Sequence, residues 1–419
     1  MKLRILREKP LKGKVKISGA KNSALPAISA SILTDKEVIL KNVPRVKDVE
    51  TMLEIIGIIG GDWRWDGELL SIRVKDVKNV RIPYELVSKM RASILFLGSL
   101  VARAGRAEVP HPGGCDIGPR PVDLHVEGLR ALGVEIEQEQ GFYIARANKI
   151  KGNRFRFPKK SVTGTENLLM ASVASDEEVE ISNCALEPEV QDLAFLLKKM
   201  GADIEGIGEE RMIVKGKIPL SGAVHSIIPD RIEAGTYMVI GAIPENDFLI
   251  EGVEIKHILN IIEKLKECGF DVIKGDGWVK VKSTERILPV NIETAPFPGF
   301  PTDMQAQFTA LLTQAEGCSV IRDTIFPFRF HHAYELQRMG AKIDVGEGIA
   351  KVYGKTELSG TDVSANDLRA SASLVIAGLI AKGETIIHNI HHLERGYEDI
   401  IGKLRNLGVE IEKIEGGID

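Results

Sequence analysis

The sequence predicts an α/β protein assembled from six copies of one β-α-β-α-β-β unit, and two observations carry that prediction. The first is a recurring phrase in which an apolar helix ends on glycine and a strand with alternating acids follows. It reads LRALGVEIE at 129–137, LKKMGADIE at 197–205, LKECGFDVI at 265–273, LQRMGAKID at 336–344 and LRNLGVEIE at 404–412, with Ile59–Gly60 as its earliest instance. The glycines fall at 60, 133, 201, 269, 340 and 408, so the intervals of 73, 68, 68, 71 and 68 residues fill the 419-residue chain. The second observation is that two kinds of helix alternate. NSALPAISASIL and RASILFLGSLVA are apolar nearly all round, as in a helix buried on every side, whereas DVETMLEII and VDLHVEGLRAL keep a polar face.

The first copy can be read through in order. KVKI at 14–17 is a short strand, Asn22–Leu33 an apolar helix, and EVILKNV at 37–43 a strand again. An amphipathic helix follows from Asp48 to Ile59, and Gly60 supplies the left-handed residue that commonly ends a helix. DWRW and LLSIRV close the unit as two strands. One unit cannot bury its apolar helix alone, so units must associate, with the apolar helices inside and the sheets around them. Six units form either one closed ring or two groups of three, and the periodicity leaves both open.

Composition narrows the function. A hydrophobic fraction of 44% with 27% charged residues is ordinary for a soluble globular enzyme. The net charge of −4 excludes a nucleic-acid binder driven by bulk electrostatics, so any cationic site must be local. The four cysteines, 115, 184, 268 and 318, have no CxxC or metal-ligand spacing, which predicts reduced thiols and a cytoplasmic location. MKLRILREKPLKG lacks the apolar core of a secretory signal, and no stretch reaches the roughly 18 apolar residues of a membrane span. The apolar run at 371–381 reads as a buried helix. Neither GxxxxGK[ST] nor a GxGxxG after a strand occurs, so triphosphate and dinucleotide chemistry lack their signatures. His331–His332 and His391–His392 are adjacent pairs, but without HExxH or carboxylate spacing they predict no metal, and no cofactor is expected.

Unusual residues gather at two places in the repeat. At the start of the apolar helix stand Lys21 and Asn22, Arg91, Thr163–Gly164–Thr165, Asp230–Arg231, Asp303, and Asn366–Asp367 with Arg369. Between the next strand and the amphipathic helix stand Arg45, the loop from Cys115 to Arg120, Glu187 and Glu189, Lys256–His257, Arg329 and Arg395. Asp303 and Asp367 each have a plain reading as helix N-caps. Lys21 and Arg369 do not, because a cation near a helix N-terminus opposes the dipole and calls for an offsetting anion. Lys21, Arg91, Arg120, Arg329, Arg369 and Arg395 face only Asp303 and Asp367, a local surplus suited to phosphate and carboxylate groups. The loop VPHPGGCDIGPRPVD at 109–123 sets the thiol of Cys115 five residues from Arg120, a cation that favours thiolate. It reads either as a reactive lid or as a glycine-rich turn.

Together, SGAKNSALP at 18–26, PGGCDIGPRPVDLH at 112–125, PGFPTDMQAQ at 298–307, FPFRFHH at 326–332 and ERGYE at 394–398 resemble the UDP-N-acetylglucosamine enolpyruvyl transferases over the whole chain. The resemblance implies an EPSP synthase-like fold, a two-domain inside-out α/β barrel with three repeats per domain. One domain would hold residues 1–20 and 229–419, with both termini, and the other residues 21–228, with the Cys115 lid. It implies transfer of the enolpyruvyl group of phosphoenolpyruvate to the 3-hydroxyl of UDP-N-acetylglucosamine, releasing phosphate, in peptidoglycan synthesis. The rival on the same fold acts on shikimate 3-phosphate, but its lysine motif carries serine where Asn22 stands, and it lacks a cysteine lid. By the resemblance, Lys21, Asn22, Arg120, Arg369 and Arg395 hold phosphoenolpyruvate. Asn22, Arg91, Arg120, Pro121, Val122, Asp123, Leu124, Ser161, Val162, Thr163, Asp303, Ile325 and Arg329 meet the sugar nucleotide. Asp303 takes the proton of the 3-hydroxyl, Lys21 and Arg395 also serve catalysis, Asp367 belongs to the active site, and Cys115 is the catalytic lid thiol, which can add covalently to phosphoenolpyruvate and is alkylated by fosfomycin. Asp116, Pro119 and Pro327–Phe328 depart from the usual pattern, which touches loop dynamics more than chemistry.

Overall fold

The computed structural model describes residues 1–88, 90–112, 122–216 and 219–414. Gly60, Gly133, Gly201, Gly269, Gly340 and Gly408 all have positive φ, between 82° and 106°. That backbone is strained for any residue with a Cβ, so the repeat's marker is a steric requirement. Each glycine ends an outer helix: Lys47–Ile59, Asp123–Ala131, Pro188–Lys199, Leu259–Glu267, His331–Arg338 and Ile400–Asn406.

The chain divides into two compact units, one of residues 1–18 and 229–414, the other of the described residues between 19 and 228. Each has its own apolar core. At the centre of the 19–228 unit lie the helices Lys21–Ala30, Phe96–Ala104 and Val162–Ser172; the other unit holds Arg231–Gly241, Gln305–Leu312 and Leu368–Ile380. These are the apolar-all-round helices, and Leu368–Ile380 covers nearly all of the run expected to be buried. The predicted helix at 22–33 starts one residue earlier, at Lys21, and its last turn, Ser31–Leu33, tightens to a 3-10 helix.

Three sheets accompany each trio of helices. The strand before an inner helix pairs in parallel with the strand after it, and a hairpin continues the sheet antiparallel. Arg154–Arg156 beside Glu178–Ser182, then Arg211–Lys215 and Asp203–Glu205, is one example. In the second repeat the leading strand shrinks to a single parallel bridge, Arg81 with Glu108.

The first copy departs from its sequence reading. The leading strand, Lys12–Lys16, pairs with Asp247–Glu251 and not with Val38–Lys41. The parallel neighbour of Val38–Lys41 is Ala223–Ser226. The chain passes from one unit to the other at 18–19 and at 228–229, so each leading strand stays in the unit the chain is leaving. The sixth repeat is completed in the same spirit by the N-terminus, since Lys2–Leu6 lies between Thr385–His388 and Glu410–Ile414. Among the described residues, no helix is long and apolar enough to cross a membrane.

Candidate active site

In the 19–228 unit, Lys21 is the first residue of the Lys21–Ala30 helix, whose N-cap, Ala20, makes no side-chain cap. Ser23 and Ala24 donate their backbone N–H groups to the Ala20 carbonyl at the start of the helix, its positive dipole end. The anion that offsets Lys21 is Asp48, whose Oδ2 lies 3.0 Å from Nζ in a nearly buried pair. Gly19 permits this start, because a Cβ there would sit 1.7 Å from the Asn42 carbonyl oxygen. One turn further in, Ser23 donates to Asp192, which also accepts from His225 Nε2 at 2.8 Å.

A second group in this unit centres on His125. Asn167 accepts the Gly98 N–H at 2.6 Å and donates to the Ile94 carbonyl at 2.9 Å, so two backbone groups fix its amide orientation. Its nitrogen therefore donates to His125 Nδ1 at 2.9 Å, and the ring's proton sits on Nε2, directed at Thr163 Oγ1 3.1 Å away. Burial, with the Arg91 guanidinium as a second cause, pushes the His125 pKa down to about 3. Arg91 opens a 3-10 turn, Arg91–Leu95, ahead of the apolar helix it was expected to open directly. Ser161 caps the Val162–Ser172 helix by accepting the Gly164 N–H, Val162 is half-buried, and Val122–Leu124 begin the Asp123–Ala131 helix. Asn22 is exposed at the surface of the first turn. Glu166, on the same helix as Thr163, is buried, and burial with the charges of Glu189 and Glu187 pushes its pKa well above the carboxylate range. Cys115, Arg120 and Pro121 lie outside the described residues.

In the other unit, Asp303, Arg329, Asp367 and Arg369 meet. Asp303 accepts from Arg329 Nη1 at 2.7 Å on Oδ1 and from Arg369 Nη2 at 2.8 Å on Oδ2. Arg329 Nη2 reaches Asp367 Oδ1 at 3.4 Å. Both guanidiniums are buried. Burial alone would raise the Asp303 carboxyl, but the charges of Arg369 and Arg329 outweigh it and hold it far below the usual range. Asp367 is held low in the same way, by the Arg329 charge and by the backbone N–H groups of Arg369 and Ala370.

The N-cap reading thus holds for Asp367 and fails for Asp303. Asp367 caps Leu368–Ile380, accepting from Arg369 N at 2.7 Å and Ala370 N at 3.2 Å. Asp303 lies inside a 3-10 turn, Thr302–Met304, and the Gln305–Leu312 helix begins after Met304, so its carboxylate is free to face the arginines. The loop that carries Arg329 is organised by Asp323, which accepts from Thr294, Thr302 and the N–H groups of Ile325 and Phe326. Ile325 is half-buried there, and Arg395 is half-buried at the end of the Ile390–Arg395 turn. Lys21 and Arg395 belong to different units. Among the described residues, no three His, Cys, Asp or Glu side chains are grouped to hold a metal ion.

Asp48, His125, Asp323 and Tyr397 are the residues that sequence reasoning left without a role. For Asp48 a signal exists, since an aspartate opening the amphipathic helix beside a strand end is where the other copies carry charge. The tyrosine stands inside the ERGYE motif. His125 closes the PGGCDIGPRPVDLH motif, and nothing in the sequence marks Asp323.

Comparison with known proteins places the chain in a family. Residues 5–404 match the EPSP synthase (3-phosphoshikimate 1-carboxyvinyltransferase) family. UDP-N-acetylglucosamine 1-carboxyvinyltransferase of Koribacter versatilis is 50% identical over 97% of this chain and 94% of its own. The Coxiella burnetii protein of the same name is 48% identical over 100% of this chain and 97% of its own. Among solved structures, the enolpyruvyl transferase NikO from Streptomyces tendae superposes with a TM-score of 0.89 at 26% identity, covering 98% of each chain. EPSP synthase from Acinetobacter baumannii shares the fold, with a TM-score of 0.75 at 19% identity over 99% of this chain and 100% of that one.

Proposed function

Because this chain belongs to the UDP-N-acetylglucosamine 1-carboxyvinyltransferases, within the wider EPSP synthase family, we propose that the Asp303 cluster is where its sugar acceptor is deprotonated. The enzyme transfers the enolpyruvyl group of phosphoenolpyruvate to the 3-hydroxyl of UDP-N-acetylglucosamine, the enolpyruvyl step of peptidoglycan synthesis. The hydroxyl oxygen attacks C2 of phosphoenolpyruvate while a proton is delivered to C3, giving a phospholactoyl ketal. Loss of phosphate and of a C3 proton leaves the enol ether. The reaction needs a base at the alcohol, an acid at C3, and fixed cations for the phosphate and carboxylate.

The observation that carries the assignment of the base is the Asp303 carboxylate held between Arg329 and Arg369. Caged by two cations it is a weak base. Arrival of an anionic substrate draws a guanidinium toward itself, relaxes the cage and returns basicity to Asp303 when the hydroxyl is in place. In the same reading Lys21, Asn22, Arg120, Arg369 and Arg395 hold phosphoenolpyruvate. Arg91, residues 120–124, Ser161–Thr163, Ile325 and Arg329 hold the sugar nucleotide, and Asp367 fixes Arg329. Cys115 is the lid thiol that fosfomycin alkylates, the two compact units are the enzyme's two domains, and its location is the cytoplasm.

The test is phosphate release from phosphoenolpyruvate with UDP-N-acetylglucosamine or shikimate 3-phosphate as sole acceptor. We expect release with the sugar nucleotide only; release with shikimate 3-phosphate alone would sink the reading. Peptide mass spectra after fosfomycin treatment should place one adduct on Cys115 and none on Cys184, Cys268 or Cys318.

A further inference from the structure

Tyr397 lies two residues beyond Arg395 and is buried. Its Oη is 3.1 Å from Arg369 Nη1, 2.9 Å from Thr236 Oγ1 and 3.4 Å from Gln307 Nε2. The direction of each bond follows from counting protons. Thr236 spends its one hydroxyl proton on the Ile232 carbonyl at 2.8 Å, so its oxygen can only accept from Tyr397. The Tyr397 oxygen then accepts from Arg369, while the Gln307 amide donates one N–H to the Asp303 carbonyl at 2.8 Å and shares the other between Thr236 Oγ1 at 3.2 Å and Tyr397 Oη at 3.4 Å. These bonds join Arg231–Gly241, Gln305–Leu312 and Leu368–Ile380, the three inner helices of the unit, at the level of the Asp303 cluster.

A second contact fixes the same segment. At Gly396 a Cβ would lie 2.5 Å from Leu368 Cδ2, so the backbone between Arg395 and Tyr397 runs against the residue that precedes Arg369. A bare glycine and a buried hydroxyl thus dock residues 395–397 onto the start of the Leu368–Ile380 helix.

We propose that Tyr397 is a positioning residue for the reaction: its hydroxyl sets Arg369 against Asp303 and, through Gly396, holds Arg395 in register with Arg369, so that phosphoenolpyruvate meets a preset pair of arginines. This rests on the substrate roles given to Arg369 and Arg395 above. Thr236 is its partner: with the Tyr397 proton held on the Thr236 oxygen, the lone pairs of the Tyr397 hydroxyl stay turned toward Arg369.

The test uses the intact enzyme. Tyr397→Phe keeps the ring and its packing and removes only the oxygen, so KM for phosphoenolpyruvate should rise about tenfold while KM for UDP-N-acetylglucosamine stays within about twofold. Thr236→Val should reproduce that split, and Thr236→Ser, which keeps the oxygen, should restore it. The double variant Tyr397→Phe/Thr236→Val should be no worse than either single one, since both act through one chain of bonds. An unchanged KM for phosphoenolpyruvate in Tyr397→Phe, equal increases in both KM values, or a Thr236→Ser variant as impaired as Thr236→Val would overturn the proposal. Were Tyr397→Phe to fail to fold, the Thr236 pair would decide on the same criterion. Failure of the functional reading looks different: the wild-type enzyme would then release no phosphate in the presence of UDP-N-acetylglucosamine.

Discussion

Replacing Asp303 by asparagine separates its two duties. Both carboxylate oxygens are engaged, at 2.7 Å by Arg329 and at 2.8 Å by Arg369. An asparagine keeps one oxygen for one arginine and turns an N–H group toward the other. Breaking a buried ion pair typically costs about 3–5 kcal/mol. Here the loss should lie below that range, near about 2 kcal/mol, for three reasons. The Asp303 side chain is 26% accessible, Arg329 keeps Asp367, and Arg369 keeps Tyr397. The variant should therefore fold, with a chemical-denaturation midpoint only modestly lowered. Catalysis should suffer far more, because removing a positioned base costs roughly 10²- to 10⁴-fold in rate. Steady-state phosphate release at saturating substrates reads kcat, and titration of UDP-N-acetylglucosamine into the variant reads binding. A kcat within about threefold of wild type, or a loss that merely tracks the unfolded fraction, would refute the role of Asp303 as base.

Two further outcomes follow from the same geometry. Lys21→Gln should lower kcat/KM for phosphoenolpyruvate by about 10²-fold or more, with UDP-N-acetylglucosamine affinity by calorimetry changed less than about threefold, because a desolvated cation opposite an anion is lost. Equal losses for both substrates would argue against that placement. Buried histidines and buried carboxyls pull stability in opposite directions between pH 6.5 and pH 5. Burial holds His125 at about 3 and His332 at about 4, against 6.5 when unfolded, so each withdraws about 2 kcal/mol by pH 5, whereas burial raises Glu166 and lifts Glu233 to about 7, and both add stability as the pH falls. His125→Gln should therefore gain about 2 kcal/mol on the wild type between pH 6.5 and pH 5 in denaturation profiles. A difference between variant and wild type that does not change with pH would show that His125 is charged in the native state.

The repeat was legible because it is imposed locally. A helix that must end in a left-handed residue selects glycine wherever it recurs, and all six marker glycines have positive φ. Helix type was legible for the same kind of reason, since burial on every side strips a helix of its polar face. The exchange of Lys12–Lys16 for Ala223–Ser226 was not legible, because homologous strands suit either sheet and only the crossings at 18–19 and 228–229 decide their partners. The charged residues stood out singly, but the meeting of Asp303, Arg329 and Arg369 is made by segments far apart in the chain. Asp303 misled as a helix cap because the 3-10 turn that moves it into the first turn has no clear signature. Tyr397 and His125 stand inside the motifs ERGYE and PGGCDIGPRPVDLH, but no role for them was legible, since their importance lies in which buried donors and acceptors surround them.

The most direct measurement is the product itself. Incubated with phosphoenolpyruvate and UDP-N-acetylglucosamine, the enzyme should yield a sugar nucleotide heavier by one carboxyvinyl group in the mass spectrum, with one phosphate released per molecule formed. An unmodified sugar nucleotide, or a carboxyvinyl product formed only from shikimate 3-phosphate, would contradict the account.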